Sequence, residues 1–365
     1  MKKKIAMIVV ASQNVLTFRQ NLIKKFISLN YDVSIISFDR DYENEIKKLN
    51  VNFYCIEDNN RSTNPFKTLH LKKKYYNYLK LINPDIVFTF MAKPNTFGVM
   101  AAKKAKVNKI FSMVEGLGDP FINQSFKWKL IRFSLCRLYK KAFKKVNGAF
   151  FLNEDDKNKF IDLKLVNKEK AHIINGIGVD LNKFSFKPVN KDSNSFVMIA
   201  RMLKTKGVFE YCECAKIVKE KRPNSEFLYI GAEGTVKLED IKEYIDGGYI
   251  KYIGTVNDVR PYVEESLALI LPSYREGMPM AIMEAESIGR AIIANNTTGC
   301  KHTVVNNFNG YLVDNNNPIK MADYCIELLD NKDKAVEFGN NSRKHAEEFF
   351  DQNVINNKII EFLNN

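Results

Sequence analysis

The feature that most constrains this 365-residue chain is a repeated alternation of short β-branched runs with longer stretches of helical period. "KIAMIVVAS" reads as a buried strand, and "TFRQNLIKKFISLN" then carries Phe18, Leu22, Ile23, Phe26 and Leu29 at helical spacing. "YDVSIISF", "PDIVFTF", "NKIFSMVEG", "GAFFLNEDD" and "AHIINGIGVD" continue the series. Strands separated by helices pair in parallel, which predicts an α/β, doubly wound sheet. After the polar, proline-bearing "SFKPVNKDS", the pattern restarts with "SFVMIARM" and the helix "GVFEYCECAKIVKEKR". It runs on through "SEFLYIGAEG", "IKYIGTV", "ALILPS", "AIIANN" and "GYLVD", and closes with helices near 318–330, 333–349 and 352–363. Two Rossmann-like domains in series are expected, 1–187 and 188–349, a division the chain length also favours.

An apolar content of 45% with 27% charged residues belongs to an ordinary globular protein. The six cysteines (55, 136, 212, 214, 300 and 325) show no Cys-x-x-Cys and no histidines at zinc spacing. Reduced thiols in a cytosolic protein are expected, with neither a disulfide frame nor a structural metal. "MKKKIAMIVVASQN" resembles a signal peptide, but its apolar run covers only residues 5 to 11 and no clean cleavage site follows, so a first strand is the better reading. No apolar run approaches the ~18 residues needed to cross a bilayer. The net charge of +14 is uneven: residues 1–185 hold 34 Lys and Arg against 16 Asp and Glu, and the remainder 22 against 26. The first half is therefore expected to face something anionic.

In doubly wound sheets ligands bind outside the carboxyl ends of the strands, so chemistry is sought in the loops that follow them. "PSYREGMPMAIMEAESIGR" (272–290) places Glu276 in such a loop and Glu284 on the second turn of the helix after it, with Pro279 expected in the first turn. Glu284 falls beside Ala281, Ala285 and Ile288, a side that packs inward, and a carboxylate there needs a partner. For a lone glutamate, pairing with a lysine or turning outward is the commoner outcome. "IARMLKTKGV" (199–208) sets Arg201 and Lys206 after the first strand of the second half, with Gly207 opening a helix. Two cations facing a helix N-terminus suit a diphosphate, although basic residues are common in such loops.

Taken together, "ARMLKTKG" and, about 70 residues on, "PSYREGMPMAIMEA" resemble the retaining glycosyltransferases of family 4, which have the GT-B fold. "TTGCKHTVVNNFNGYLV" (297–313) looks like that family's glycine-rich segment with its closing Asn-Gly turn. "KPNTFG" (93–98) and "VEGLGDPF" (114–121) resemble the branch that extends sugars on undecaprenyl diphosphate, and are similar to the N-acetylgalactosaminyltransferases of the bacterial N-glycan pathway. The resemblance implies two Rossmann-like domains facing across a cleft, with the C-terminal helix (350–365) packed back on the first. It implies a UDP-sugar donor, a lipid-diphosphate-linked glycan acceptor and a peripheral place on the cytoplasmic face of the cell membrane. No metal and no further cofactor are expected.

By the same resemblance, Arg201 and Lys206 neutralise the leaving diphosphate, Glu284 accepts from the ribose hydroxyls and Glu276 faces the transferred sugar. The amides of Gly277, Met278 and Met280 are further donors to sugar and phosphate. Lys93, Asn95, Glu115, Gly116 and His302 are candidate contacts to acceptor or donor; for Glu115 a plain glycine-rich turn is an equal alternative. There are departures. "ASQNVLTF" stands where many members have a Gly-Gly turn, Ala92 where a family histidine is usual, and His302 where glutamate is usual.

Between Asp119 and Glu154 the chain has no acidic residue, and "FKWKLIRFSLCRLYKKAFKKV" (126–146) sets cations among large apolar side chains. Leu130, Ile131, Leu135, Leu138 and Ala142 recur at helical spacing. Lys127, Trp128, Lys129, Arg132, Arg137, Lys140, Lys141, Lys144 and Lys145 are expected to lie at an anionic membrane surface, with "LKKKYYNYLK" (71–80) adding to it. The alternative is a core-packed helix with a solvated basic face. A nucleic-acid binder, a GT-B epimerase or hydrolase, and a sugar-binding protein without catalysis are rival readings; no nucleic-acid motif is visible.

Overall fold

The computed structural model describes residues 2–57, 65–122 and 125–364. The chain divides into two compact units, Met1–Ile177 with Val354–Asn365, and Gly178–Asn353. In the first, seven strands form one sheet: β1 (Lys3–Ile8), β2 (Tyr31–Ser37), β3 (Asn52–Cys55), β4 (Ile86–Phe90), β5 (Lys109–Val114), β6 (Gly148–Phe151) and β7 (Ala171–Ile173). Their order is β3-β2-β1-β4-β5-β6-β7 and every pairing is parallel. The five residues of β4 are all buried, as a strand covered by helices on both faces requires. One face carries Ala6, Ile8, Val87 and Ala149, and on it lie apolar residues of helices Pro65–Ile82, Val99–Lys104, Phe126–Phe143 and Glu154–Asp162.

The second unit repeats the plan with β8 (Ser195–Ile199), β9 (Glu226–Ile230), β10 (Lys251–Gly254), β11 (Ser266–Leu271), β12 (Ala291–Asn295) and β13 (Gly310–Val313). Their order, β10-β9-β8-β11-β12-β13, is again all parallel. Strand order reverses between β1 and β4 in one sheet and between β8 and β11 in the other. At such a reversal adjacent crossovers leave in opposite directions, opening a crevice at the carboxyl ends.

Local details depart from the sequence reading for identifiable reasons. The polar segment 185–193 lies with the second unit, because the Lys187 amide donates to the Ile288 carbonyl and the Ser287 hydroxyl to the Phe184 carbonyl. Pro279 caps the helix Met280–Ile288 from an extended backbone instead of sitting within its first turn. The helix Gln20–Ser28 follows a π-helical turn, Val15–Arg19, and the side buried is Val15, Arg19, Leu22, Ile23 and Phe26. Phe18 is only half-buried and Leu29 is exposed.

The helix Gln352–Asn364 belongs mainly to the first unit, where Phe362 meets His172 and Phe150 at ring-centroid distances of 4.4 and 5.7 Å. Phe362→Ala removes these contacts from a half-buried position and is expected to lower the stability of this unit by about 2 kcal/mol, measured by urea unfolding.

Candidate active site

In the second unit the two strands flanking the reversal both end in charged loops. β8 runs into Arg201 and then a single turn, Lys204–Lys206; β11 runs into Pro272 and then Glu276. The Lys206 ammonium binds both Glu276 oxygens, at 2.5 and 2.7 Å, and so ties the end of β8 to the end of β11. The side chains are 26% and 11% exposed, burial enough to shield the pair from most solvent screening.

The backbone forces this approach. Gly207 has φ +74°, and a Cβ there would stand 2.1 Å from the Pro272 carbonyl oxygen, a contact no other residue can make. The Tyr274 amide donates to the Thr205 carbonyl at 3.0 Å and Asn316 Nδ2 to the Pro272 carbonyl at 3.2 Å, locking the loops together. The segment after β12 clamps Glu276 from the other side. The Glu276 amide donates to Thr298 at 2.9 Å, and Gly299, at φ +90°, has its missing Cβ 2.6 Å from the Glu276 carbonyl oxygen.

Glu284 is half-buried on the second turn of Met280–Ile288, and no hydrogen-bond or ion-pair partner exists for its carboxylate among the described residues. Burial pushes its pKa up to about 7, and the positive charge of Lys183 opposes the rise. Its helix neighbour Glu286 is fully buried and pushed up to about 7 by the same cause, yet it is bonded to Asn309 at 3.1 Å and to His345 at 2.9 Å. One desolvated carboxylate on this helix is built into the packing, and the other has no hydrogen bond among the described residues.

Among the remaining candidates of this unit, Arg201 is exposed and pairs with no carboxylate among the described residues. Gly277 and Met280 are half-buried, Met278 is buried, and the Met280 amide lies in the helix's first turn, where the helix itself supplies no acceptor. His302 is half-buried at the end of the turn Cys300–His302. Lys206 and Glu276 are brought into contact; Arg201 and Glu284 touch neither. Sequence reasoning missed Cys300, buried beside this pair, whose thiol is pushed up to about 12 by desolvation and then by the Glu276 charge. It also missed Lys183, the cation facing Glu284. "TTGCKH" had pointed to the loop and not to the thiol, and Lys183 lies outside every motif.

In the first unit the reversal is marked by two π-helical turns, Val15–Arg19 after β1 and Pro94–Gly98 after β4. Such turns are rare and cluster at functional sites. Arg19 is 3% exposed, lies 4.4 Å over the Phe90 ring and is ion-paired to Glu115 beyond the end of β5. Burial lowers its pKa to about 9. Glu115 is thus committed to a buried cation that the sequence reading had placed in an ordinary helix. Asn95 is fully buried, accepting from the Thr89 hydroxyl at 2.7 Å and donating to the Met113 carbonyl at 2.7 Å, so its amide is used in joining β4 to β5. Lys93 is half-buried with its ammonium 5.5 Å from the Phe38 ring, and Ala92 and Gly116 are exposed.

The helix Phe126–Phe143 buries only Tyr139, Ala142 and Phe143, so its C-terminal half is the packed half. Leu130, on the apolar spacing of this helix, is 59% exposed, in line with Phe126 at 83% and Phe133 at 55%, whereas Ala142 of the same spacing is buried. Trp128 and Arg132 are half-buried; Lys127, Lys129, Arg137, Lys140, Lys141, Lys144 and Lys145 are exposed. No helix among the described residues is long and apolar enough to cross a membrane, and none of their His, Cys, Asp and Glu side chains gather in threes as a metal site would require.

A sequence profile described as "Glycosyl transferases group 1" matches residues 180–345, and one described as "Glycosyl transferase 4-like" matches residues 4–150. The N,N'-diacetylbacillosaminyl-diphospho-undecaprenol alpha-1,3-N-acetylgalactosaminyltransferase of Campylobacter jejuni is 30% identical over 365 residues, 96% of this chain and 95% of that protein. The chain belongs to the family 4 glycosyltransferases. The UDP-Gal:alpha-D-GlcNAc-diphosphoundecaprenol alpha-1,3-galactosyltransferase of Escherichia coli is 31% identical over 276 residues, 70% of this chain and 69% of that protein. Anabaena Alr3699/HepE, solved in complex with UDP-glucose, superposes with a TM-score of 0.81 at 15% identity over 99% of each chain. The two parallel sheets are those of the GT-B fold, and this family 4 glycosyltransferase carries both.

Two outcomes test the geometry. For Glu284 the folded pKa of about 7 lies above its ordinary 4.5, so the folded chain holds this proton more tightly. Stability from this group is complete below pH 4.5 and lost as pH rises to 7. Glu284→Gln is therefore expected to stabilise the protein at pH 8 by up to about 3 kcal/mol and to change little at pH 4.5, read from denaturant midpoints. Glu115→Gln leaves the Arg19 charge buried and unpaired and should cost about 3 kcal/mol. Adding Arg19→Met should recover part of that loss in the same unfolding assay.

Proposed function

We propose that this glycosyltransferase moves a sugar from a UDP-sugar to a saccharide carried on a polyprenyl diphosphate, with retention at the anomeric carbon, in surface polysaccharide or glycan assembly. The supporting observation is the Lys206–Glu276 pair at the strand reversal, followed by the unpartnered, desolvated Glu284 one helix turn beyond the loop. The Campylobacter and Escherichia relatives, whose names specify diphospho-undecaprenol acceptors, support the acceptor class. The transferred sugar is an N-acetylhexosamine or a hexose.

An ammonium has three donors. Two of Lys206 hold Glu276, and the third, with the guanidinium of Arg201, meets the diphosphate. As the bond from the anomeric carbon to phosphate oxygen breaks, negative charge grows on the diphosphate. Fixed cations stabilise that charge more in the transition state than before it. The acceptor hydroxyl forms the new glycosidic bond on the face the diphosphate leaves, and its proton passes to a diphosphate oxygen. Glu276, oriented by Lys206 and by Thr298, takes hydroxyls of the transferred sugar, and the amides of Gly277, Met278 and Met280 add donors. Glu284 accepts from the ribose hydroxyls. Its desolvation favours this, because two donors in a dry site stabilise the carboxylate that burial otherwise penalises.

The basic first unit serves the acceptor. Phe126, Leu130 and Phe133, at i, i+4 and i+7 with exposed cations around them, enter the interface of an anionic leaflet, and the enzyme works as a peripheral protein on the cytoplasmic face. Glu115 positions Arg19 and the adjoining loop, and Gly116, Lys93 and His302 remain candidate contacts to acceptor or donor.

Turnover is measured with UDP-hexoses, UDP-N-acetylhexosamines and GDP-mannose against synthetic lipid-diphosphate sugars. One UDP-sugar should give an α-linked product, Lys206→Ala should slow transfer by about 10²–10³ per folded molecule while lowering the unfolding midpoint because Glu276 is left unpaired, and Glu284→Ala should chiefly weaken donor use. Wild-type rates in both variants would remove the roles assigned to them, and product without acceptor would indicate an epimerase or hydrolase.

A further inference from the structure

A second basic cluster lies in the first unit, away from the strand ends. Helix Pro65–Ile82 and helix Val99–Lys104 pack side by side on the core face that also carries Phe126–Phe143. Between the first two is a pocket of roughly 300 Å³ lined by Lys72, Lys73, Tyr76, Asn77 and Lys104, a size at the lower end for small-molecule sites. Its chemistry is one-sided. Three of the five side chains are cations, none is an acid, and none of the three makes an ion pair among the described residues. The neighbouring Lys74 differs, since its ammonium donates to the Ile56 carbonyl at 2.7 Å.

The pocket is also partly preformed. The Lys104 ammonium lies 4.8 Å from the centroid of the Tyr76 ring, which holds it against the wall by cation–π attraction. Lys72 and Tyr76 are one helical turn apart, as are Lys73 and Asn77, so two adjacent stripes of the helix turn polar groups toward the same space. Buried apolar residues alternate with these, Leu71, Tyr75 and Leu79 facing the core, so the lysines cannot rotate inward to find other partners. Three mutually repelling cations with two neutral hydrogen-bonding groups, held in a concave site, are stabilised by an oxyanion with several acceptors.

We propose that this pocket binds a phosphate group, supplied by the headgroup of an anionic phospholipid, and so adds a discrete headgroup site to the membrane-facing side of the first unit. The lipid source rests on the membrane reading given under the proposed function. The phosphate chemistry does not, because it follows from the lining alone. The apolar stripe of Phe126, Leu130 and Phe133 provides insertion, and the lysine pocket, on a neighbouring pair of helices of the same layer, provides headgroup recognition.

The test uses the full chain and vesicles of phosphatidylcholine with or without 30% phosphatidylglycerol, together with glycerol 3-phosphate as a soluble probe followed by NMR. Variants are Lys73→Gln/Lys104→Gln in the pocket, Phe126→Ser/Phe133→Ser on the stripe, and Lys24→Gln/Lys25→Gln as an equal charge change on an exposed part of a helix outside this core cluster. The proposal expects saturable binding of glycerol 3-phosphate to the wild type, lost in the pocket variant and retained in the other two. It also expects the pocket variant to bind phosphatidylglycerol vesicles about tenfold or more weakly, and the Lys24/Lys25 variant to change less than threefold. Equal losses in the two lysine variants, with no glycerol 3-phosphate binding, would overturn the pocket while leaving the membrane reading intact. Glycerol 3-phosphate binding with vesicle affinity untouched by the pocket variant would overturn the lipid source and keep the phosphate site. Absence of any wild-type vesicle binding would overturn the membrane reading and the lipid source together.

Discussion

The second unit depends on one close approach. The chain leaving β8 and the chain leaving β11 pass each other at Gly207 and Pro272 with no room for a Cβ. At that separation the Lys206 ammonium reaches both oxygens of Glu276. A parallel sheet cannot link two adjacent strand ends through a short turn, because each strand continues into its own crossover. The ends at a reversal are therefore the part of the sheet least fixed by its own ladder, and here a glycine and an ion pair fix them. The glycine-rich loop after β12 contributes in the same way, since Gly299 lets a third chain close on the Glu276 backbone. Three loops thus converge on Glu276, through its carboxylate and its backbone, and its position is determined from the sheet outward.

The helix Met280–Ile288 separates two uses of a desolvated acid. Glu286 is bonded to Asn309 and His345, so its burial is compensated by packing that joins the helix to Lys332–Phe349. Glu284, two residues earlier, has a comparable raised pKa and no such compensation. A desolvated carboxylate without a hydrogen-bond partner adds nothing to folding at neutral pH, so its setting fits the donor-binding role proposed for it. The distinction comes from the partners, because both residues have a similarly raised pKa and lie on one apolar helix.

This also separates what was legible in the sequence from what was not. The strand and helix alternation, the double sheet, the loops that carry Arg201, Lys206 and Glu276 and the helix that carries Glu284 follow from periodicities that solvent exclusion imposes on any α/β chain. The pairing of Lys206 with Glu276 did not follow, because the two are 70 residues apart and only strand order makes them neighbours. Nor did Arg19: an amphipathic reading puts Phe18 inward and a charge outward, whereas the π-helical turn after β1 sets Arg19 among the buried residues beneath Glu115. The helix Phe126–Phe143 left two readings open, a surface element or a core-packed helix, and each holds for one end of it. Apolar spacing indicates a face, but packing extends over only one end of the helix Phe126–Phe143, and the rest of the stripe remains outside.

That exposed end bears on the uneven charge of the chain. A basic surface alone is satisfied by solvent and counterions, and a few scattered apolar side chains are normal on any protein. Phe126, Leu130 and Phe133 are neither scattered nor ringed by acids; they form one line with Lys127, Lys129 and Arg137 beside it, and Arg137 lies 4.3 Å over the Phe133 ring. Water pays for the exposed rings and offers the cations only what any surface would. On the membrane reading proposed above, an interface with apolar depth and anionic headgroups suits both, and so does the cluster of Lys72, Lys73 and Lys104, which make no ion pair among the described residues. In the second unit the strand-end charges Lys206 and Glu276 are instead turned to one another. The same doubly wound plan thus holds charge in two ways: at strand ends, where close backbone contact fixes it, and on the helix layer, where it stands beside exposed apolar side chains.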